Sequence, residues 1–206
     1  NVAEAEVQDA PAVTSPDPST PSESDAGTDA PAPVTAAKPF VISGDSKIEF
    51  LASKAIGGET PGGFGKFIGQ LNVADGKLVG GSKIVIDVES IWTKSNKLTA
   101  HLKNQDFFNV EKIPTATFEL TKIEALAEGK QKVTGTLTMH DVSKSIAFPA
   151  TVTVADDSVS LKAEFFINRF DFDMKYPGQI DNLIREEVVI KLDITAAPGE
   201  ADYTAL

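Results

Sequence analysis

After residue 38, apolar and polar positions alternate with a period of two along most of the chain, which predicts strands with one face turned to a core. Phe40 to Leu51 reads as a first strand around a break at Gly44, with Ile48 and Phe50 sharing a face. The segment GGETPGGFGKF predicts a turn and then a strand in which Gly63, Gly65 and Gly69 permit bending or close backbone approach. Asp75-Gly76 is a hairpin signal between Gln70 to Ala74 and the next strand. From Ser82 to Ile91, Ile84, Ile86 and Val88 point one way while Asp87 and Glu89 point the other. Thr115 to Ala125 and Lys130 to His140 form a hairpin across Glu128-Gly129. Val142 to Val154 carries Ile146, Phe148, Ala150, Val152 and Val154 on one face, and Asp156-Asp157-Ser158 turns the chain. Val159, Leu161, Ala163, Phe165 and Ile167 follow in alternation, Asn168 to Arg185 is irregular, and Val188, Ile190, Leu192 and Ile194 make the last strand.

One stretch departs from this period. Leu98, His101, Leu102 and Gln105 recur at i, i+3, i+4 and i+7, which predicts a short helix, with Ser95 as its N-cap. Phe107 and Phe108 stand where that helix should end, and Ile113-Pro114 forces extended backbone before the strand at Thr115. About eight strands, mostly joined by hairpins, with one helical insertion predict an all-β antiparallel sheet rather than βαβ units. A sheet of that size closes into a barrel whose interior either fills with side chains or holds one small ligand. The helix with its aromatic foot is placed to plug the barrel mouth.

Composition changes this picture at the start of the chain. Of 206 residues, the first 38 contain no Leu, Ile, Met or aromatic residue but six prolines and seven carboxylates. Such a segment cannot bury enough apolar surface to offset its ordering entropy. Residues 1–38 are therefore expected to be a disordered acidic spacer, residues 39–198 the folded domain, and 199–206 a C-terminal tail. The net charge of -11 from 30 acids and 19 bases lies unevenly, since the spacer holds seven of the acids and one of the bases. The remainder is only mildly acidic, which argues against nucleic-acid binding through a basic footprint. Cysteine is absent, which excludes a disulfide framework, a thiol nucleophile and zinc held on Cys. The chain does not begin with Met and has no apolar run near the roughly 18 residues of a membrane span. A Pro/Ser/Asp-rich spacer is what an exported protein tethered to a membrane or envelope needs; a simple solubilising tail is the alternative.

The glycine-rich segment does not fit a phosphate loop, because Thr60 stands where the first Gly is needed and Phe67 where Ser or Thr is needed. A dinucleotide fingerprint fails as well, with Ile68 in place of its third Gly. The two histidines are 39 positions apart and form no metal motif. His140 beside Asp141 has the form of a base with its orienter, although a turn hydrogen bond is the commoner role for such a pair. The acids of DFD, Asp171 and Asp173, lack the further ligands of a calcium loop.

The motifs SKIEF (46–50), GGFGKFIG (62–69), LTAHLKNQDFF (98–108), IPTATFE (113–119), GTLTMHDVSKSIAFP (135–149) and INRFDFDMKYPG (167–178) occur in order and at the right spacing. Together they resemble the YceI-like family over about Phe40 to Ala197. The resemblance implies an extended, lipocalin-like antiparallel barrel that binds a polyisoprenoid lipid or isoprenoid quinone in an internal apolar tunnel, in an exported protein. Asp141 and Asp173 depart from it, standing where the family usually has Gly; Asp can still adopt a left-handed turn conformation at modest cost.

Alternation and resemblance together select the candidate ligand contacts: Phe67, Ile84, Ile86, Leu98, His101, Leu102, Phe107, Phe108, Phe118, Leu120, Leu137, Met139, Phe148, Phe165, Ile167 and Arg169. Any one of these apolar positions is more often plain core than ligand wall, because burying each contributes roughly 1.5–3 kcal/mol to folding regardless. His101 is a head-group donor or a histidine satisfied by the protein itself. Arg169 anchors a ligand head group or, preferentially, pairs with Asp171 or Asp173. Lys94, Lys97 and Lys103 read as a solvated helix face.

The expected function is a non-catalytic carrier for an isoprenoid-type lipid, monomeric or homodimeric, exported to the periplasm or cell envelope, with the spacer as a membrane tether of lipoprotein type. No metal, catalytic residue or cofactor is expected beyond a bound isoprenoid lipid or quinone. The alternatives are a structural or adhesive envelope module whose barrel is filled by side chains, and a lipid-modifying enzyme using His101 or His140.

Overall fold

The computed structural model describes residues 2–10, 37–54, 58–176, 178–179 and 182–206. Strands run as β1 (Ala3–Glu4), β2 (Glu6–Asp9), β3 (Lys38–Ile42), β4 (Lys47–Lys54), β5 (Glu59–Phe64), β6 (Phe67–Ala74), β7 (Lys77–Asp87) and β8 (Ile91–Thr93). The helix α1 (Asn96–Lys103) follows, and then β9 (Thr115–Ala125), β10 (Gln131–Met139), β11 (Val142–Val154), β12 (Val159–Asn168), β13 (Gly178–Gln179) and β14 (Asn182–Pro198).

These strands close into an eight-stranded antiparallel barrel. Three barrel walls are each made of a bent pair: β3 with β4, β5 with β6, and β7 with β8. β14 pairs along one edge first with β4 and then with β3, β4 pairs β5 while β3 pairs β6, and β5 pairs β8 while β6 pairs β7. From β7 the walls continue through β9, β10, β11 and β12. Closure comes from β12 against β14, in register from Val159 opposite Ala196 to Asn168 opposite Glu187.

Turn chemistry matches the sequence. Asp75 and Gly76 both take positive φ (51° and 69°), as does the pair His140 and Asp141 (54° and 60°), giving tight turns that match strand twist. Asp141 and Asp173 (φ 58°) thus hold the left-handed backbone without glycine.

The first predicted strand divides at Gly44, because residues 43–46 turn outward, with Ser46 N–H donating to the Ser43 carbonyl at 3.1 Å. Ser46 is buried, and its hydroxyl accepts from Thr195 N–H and donates to Thr195 C=O, both at 3.0 Å, so a side chain replaces the missing ladder bonds. Ser82 does the same at the register shift between β6 and β7, accepting from Asn72 N–H at 2.8 Å and donating to Val79 C=O at 3.0 Å. Both buried serines satisfy backbone groups where the ladder is interrupted.

Three further boundaries differ from expectation. The strand through Ile91 ends at Asp87, whose carboxylate caps a short 3-10 turn, Val88–Ser90, by accepting from Glu89 N–H. The helix ends at Lys103, so Gln105 lies beyond it. The irregular region after Asn168 contains a 3-10 turn (Arg169–Phe172) and β13, and β14 already begins at Asn182.

Two segments set apart as tails are docked. Ala3–Asp9 forms β1 and β2 on the barrel wall, which corrects the expectation of a structureless segment for those residues; Ala3, Ala5 and Val7 turn inward while Glu4, Glu6 and Gln8 stay exposed. The rest of the expected spacer, 11–36, lies outside the described residues. At the other end, Gly199 N–H donates to Pro39 C=O, Ala201 N–H to Gln70 Oε1, and Tyr203 Oη–H to Lys83 C=O, so residues after β14 lie along β3, β6 and β7.

Replacing Ser46 tests the mended ladder. Ser46→Ala takes away the partner of the Thr195 N–H and should destabilise by about 1 kcal/mol in urea unfolding, whereas the exposed Ser158→Ala should stay within about 0.5 kcal/mol.

Candidate functional site: an apolar cavity under the helical cap

Hydrogen bonds at the two ends of α1 decide how the mouth is built. Ser95 Oγ accepts from Leu98 N–H at the helix start, and the hydroxyls of Thr93 and Thr99 meet at 3.0 Å, tying the helix to β8. At its end Phe108 N–H donates to Leu102 C=O and Val110 N–H to Lys103 C=O, and Asn109 takes φ 48°. The chain therefore folds back on the helix end, and Phe107 is buried with Leu102, Phe50 and Ile91 in one apolar cluster.

Beneath this cap lies a cavity of about 130 Å³. Its walls come from Leu98, Leu102, Phe107 and Phe108 at the cap, Phe50, Ala52 and Phe64 on β4 and β5, Met139, Ile167 and Met174, and Ile184, Val188 and Ile190 on β14. Ser53, Lys54, Thr60 and Arg169 supply the few polar groups. A second, deeper void of about 30 Å³ is lined by Leu71, Leu78, Ser82, Ile84, Phe118, Leu120, Val133, Phe148, Leu161, Leu192 and Ile194. On β12, Phe165 stands between Ile167 of the upper cavity and Leu161 of the lower void, and stacks on Phe148 with ring centroids 4.0 Å apart and planes 10° from parallel.

Two glycines make room for the rings. A Cβ on Gly62 would fall 2.3 Å from Phe50 Cζ, and one on Gly135 would fall 2.4 Å from Phe118 Cζ. Each ring can lie across a neighbouring strand only because that strand carries no side chain there.

Of the candidate contacts chosen from sequence, Leu98, Leu102, Phe107, Phe108, Met139, Ile167 and Arg169 line the upper cavity, and Ile84, Phe118, Leu120 and Phe148 line the lower void. Phe67, Ile86, His101, Leu137 and Phe165 reach neither. Ile86 and Phe165 are buried core, and Phe67 and Leu137 are half-buried against that core. His101 is one-third exposed above the cap, with Nε2 at 3.1 Å from Asp106 Oδ2 and its ring edge-on to Phe107 and Tyr176. Sequence reasoning passed over Phe50, Phe64, Met174, Ile184, Val188 and Ile190. The alternation of Ile48 with Phe50 and of Val188 with Ile190 carried the signal for three of them; Met174 and Ile184 lie in the stretch read as irregular.

Arg169 is buried, and its surroundings differ from the ion pair preferred on sequence grounds. Nε donates to Arg185 C=O at 3.1 Å, Nη2 to Ile184 C=O at 3.3 Å, and Nη1 to Met174 C=O. Its guanidinium also lies over the Phe170 ring at 4.7 Å. Burial pulls its pKa below the usual value, partly opposed by the charge of Glu186. Asp173 instead pairs with Lys175 at 2.6 Å, which lowers its pKa, and Asp171 is exposed. Three carbonyls from the segments flanking the mouth converge on one side chain, so Arg169 ties β12 to β14 where the ladder ends. His140 Nδ1 lies 3.2 Å from Phe172 C=O, a structural contact within the same group of turns. Among the described residues no group of three or more His, Cys, Asp or Glu is placed to hold a metal ion.

Residues 41–196 match the family model of the YceI-like domain. The chain belongs to the YceI-like family. A UPF0312 protein of Pseudomonas putida strain GB-1 is 30% identical over 118 residues, which are 53% of this chain and 62% of that relative. The match thus spans about three-fifths of the relative's own length. Among solved structures, Burkholderia cenocepacia BcnA superposes with a TM-score of 0.65 at 25% identity, over 74% of this chain and 96% of BcnA. A polyisoprenoid binding domain from Saccharophagus degradans superposes equally well (TM-score 0.65) at 16% identity, over 79% of this chain and 99% of that domain, a likeness of fold.

Removing the guanidinium should loosen the mouth. Arg169→Leu leaves three carbonyls without their donor and is expected to cost about 2–4 kcal/mol in chemical denaturation. Arg169→Lys should recover less than half of that loss, since a single ammonium cannot reproduce the fork.

Proposed function

We propose that this YceI-like protein is a non-catalytic carrier that holds an isoprenoid-type lipid, a polyprenyl chain or an isoprenoid quinone, with its apolar chain in the barrel interior. The observation that carries this reading is the cavity under α1, whose walls are almost wholly apolar and whose rim holds one buried cation. A guanidinium has five N–H donors, and among the described residues three of Arg169's go to carbonyls, leaving two for an oxygen-bearing head group. Burial of each CH₂ contributes roughly 0.8 kcal/mol, less the freedom the chain loses on entry, so affinity requires no covalent chemistry. The solved polyisoprenoid binding domain of the same fold supports the ligand class. The same reading takes the protein to be exported and periplasmic or envelope-associated, with the Pro/Ser/Asp-rich residues 11–36 as a spacer to a membrane tether.

One observation favours a second reading, a barrel filled by its own side chains. An engineered apolar cavity of about 150 Å³ takes a ligand the size of benzene, so 130 Å³ fits only one or two isoprene units unless side chains move.

Retention of ubiquinone-8 through gel filtration, quantified after solvent extraction, distinguishes the two. The carrier reading expects close to one equivalent on the native chain and less than one-tenth of that on Ile190→Arg with its fold intact by circular dichroism. Absence of retention by the native chain would establish the filled barrel, and full retention by folded Ile190→Arg would refute the cavity as the site.

A further inference from the structure

The barrel wall has a seam, and the chain itself fills it. β11 and β12 pair only from Ala150 opposite Ala163 to Val154 opposite Val159. Towards the mouth they part, at Pro149, which offers no N–H to a ladder. β1 and β2 occupy the gap. β2 runs antiparallel to β11, with Glu6 opposite Ala147 and Asp9 opposite Lys144, while β1 runs parallel to β12, with Ala3 opposite Phe165, and Ala5 N–H donates to Phe166 C=O at 2.9 Å.

The fit has the chemistry of a strand in its slot. Ala5 is 3% exposed and joins the main core, and Val7 packs on that core beside Ile146. On the outer face Glu6 meets Lys132 at 2.5 Å, and at the end of the strand, on the face that carries Val7, Asp9 meets Lys144 at 2.6 Å. Inward positions are therefore small or β-branched up to Asp9, and the outward ones are Glu4, Glu6 and Gln8. The segment lies outside the region matched by the family model and adds no wall to the closed ring of strands, since β12 and β14 complete that ring without it. Its inward anchors are two alanines and one valine, so its hold on the wall is weaker than that of a strand with large apolar side chains. Twenty-seven residues separate Ala10 from Lys38, enough for the segment to leave without disturbing β3.

What lies behind the seam gives it a role. Ile167, one residue pair beyond Phe166, lines the upper cavity, and the Phe148–Phe165 stack bridges β11 and β12 there. We infer that Ala3–Asp9 is a releasable β-strand latch in a dedicated slot between β11 and β12, and that its departure opens the wall beside the aromatic stack, letting a long apolar chain extend past the 130 Å³ cavity. The slot recognises an extended segment with small inward and acidic outward residues, and its occupant is this chain's own. The passage of lipid rests on the carrier reading; the latch itself does not.

The absence of native cysteine allows a clean lock. Gln8 and Ser145 face each other on the outer side of the ladder, within the Cα separation a disulfide spans. Two readouts on full-length Gln8→Cys/Ser145→Cys decide the matter. In hydrogen exchange, the reduced chain should exchange amides at residues 3–9 and 165–167 at least tenfold faster than those of β9 and β10, and oxidation should remove that difference. Amides of the latch as slow as β10 in the reduced chain would overturn the proposal. Uptake of ubiquinone-8 from phosphatidylcholine vesicles should be slowed at least tenfold by oxidation and restored by dithiothreitol, while Ala5→Asp, which expels the strand by burying a charge, should take it up at or above the native rate. Equal uptake in both redox states refutes the gating role. If no form takes up ubiquinone-8, the carrier reading falls, and hydrogen exchange alone then decides whether the latch exists.

Discussion

Closure of the barrel depends on β14, which on one edge must satisfy both halves of a bent wall. Its first half pairs with β4 and its last residues with β3, while its other edge pairs with β12 from Glu187 to Ala196. A ladder that passes from one partner strand to the next leaves backbone groups exposed at the junction, and in an apolar interior an unmatched N–H costs about as much as one or two good contacts contribute. The hydroxyl of Ser46, placed at that junction, takes both the N–H and the carbonyl of Thr195. Arg169 plays the corresponding part at the mouth, where the ladders end and three carbonyls would otherwise lack partners.

Once the wall is closed, the interior divides by side-chain size. Large rings gather at mid-height, where Phe118, Phe148 and Phe165 pack in sequence, and space remains above and below them. Glycines in the walls and aromatics in the lumen are complementary: the rings of Phe50 and Phe118 lie where Gly62 and Gly135 leave no Cβ. The apolar cavity under the cap lies between α1 and the strands β4, β5 and β14. Its polar content is confined to the rim, so the lumen favours a ligand with an apolar body and one oxygen-bearing end.

Much of this was legible in the sequence. Period-two runs such as Val159 to Ile167 name the inward face directly, because one face of each wall is buried and the register cannot slip without exposing it. Ser95 as N-cap and the Asp75-Gly76 turn follow from local chemistry. Other features were hidden for physical reasons. The partners of Arg169 are backbone carbonyls, and any residue can supply one, so sequence favoured the nearby acids. Phe64 lies between Gly63 and Gly65 in a strand whose glycines blur the alternation that would mark its inward face. The alternation Ala3, Ala5, Val7 against Glu4, Glu6, Gln8 was present but outweighed by the proline-rich composition that follows it; small apolar residues bury little area alone and hold a strand only when a slot already exists.

The account rests on one claim, that the barrel interior holds an apolar chain, and native mass spectrometry of the protein as purified tests it most directly. The account predicts a mass excess of about one molecule per chain that is removed by organic solvent and identified on extraction as a polyprenyl lipid or isoprenoid quinone. A bare polypeptide mass that stays bare after incubation with ubiquinone-8 and with a polyprenyl phosphate would contradict it.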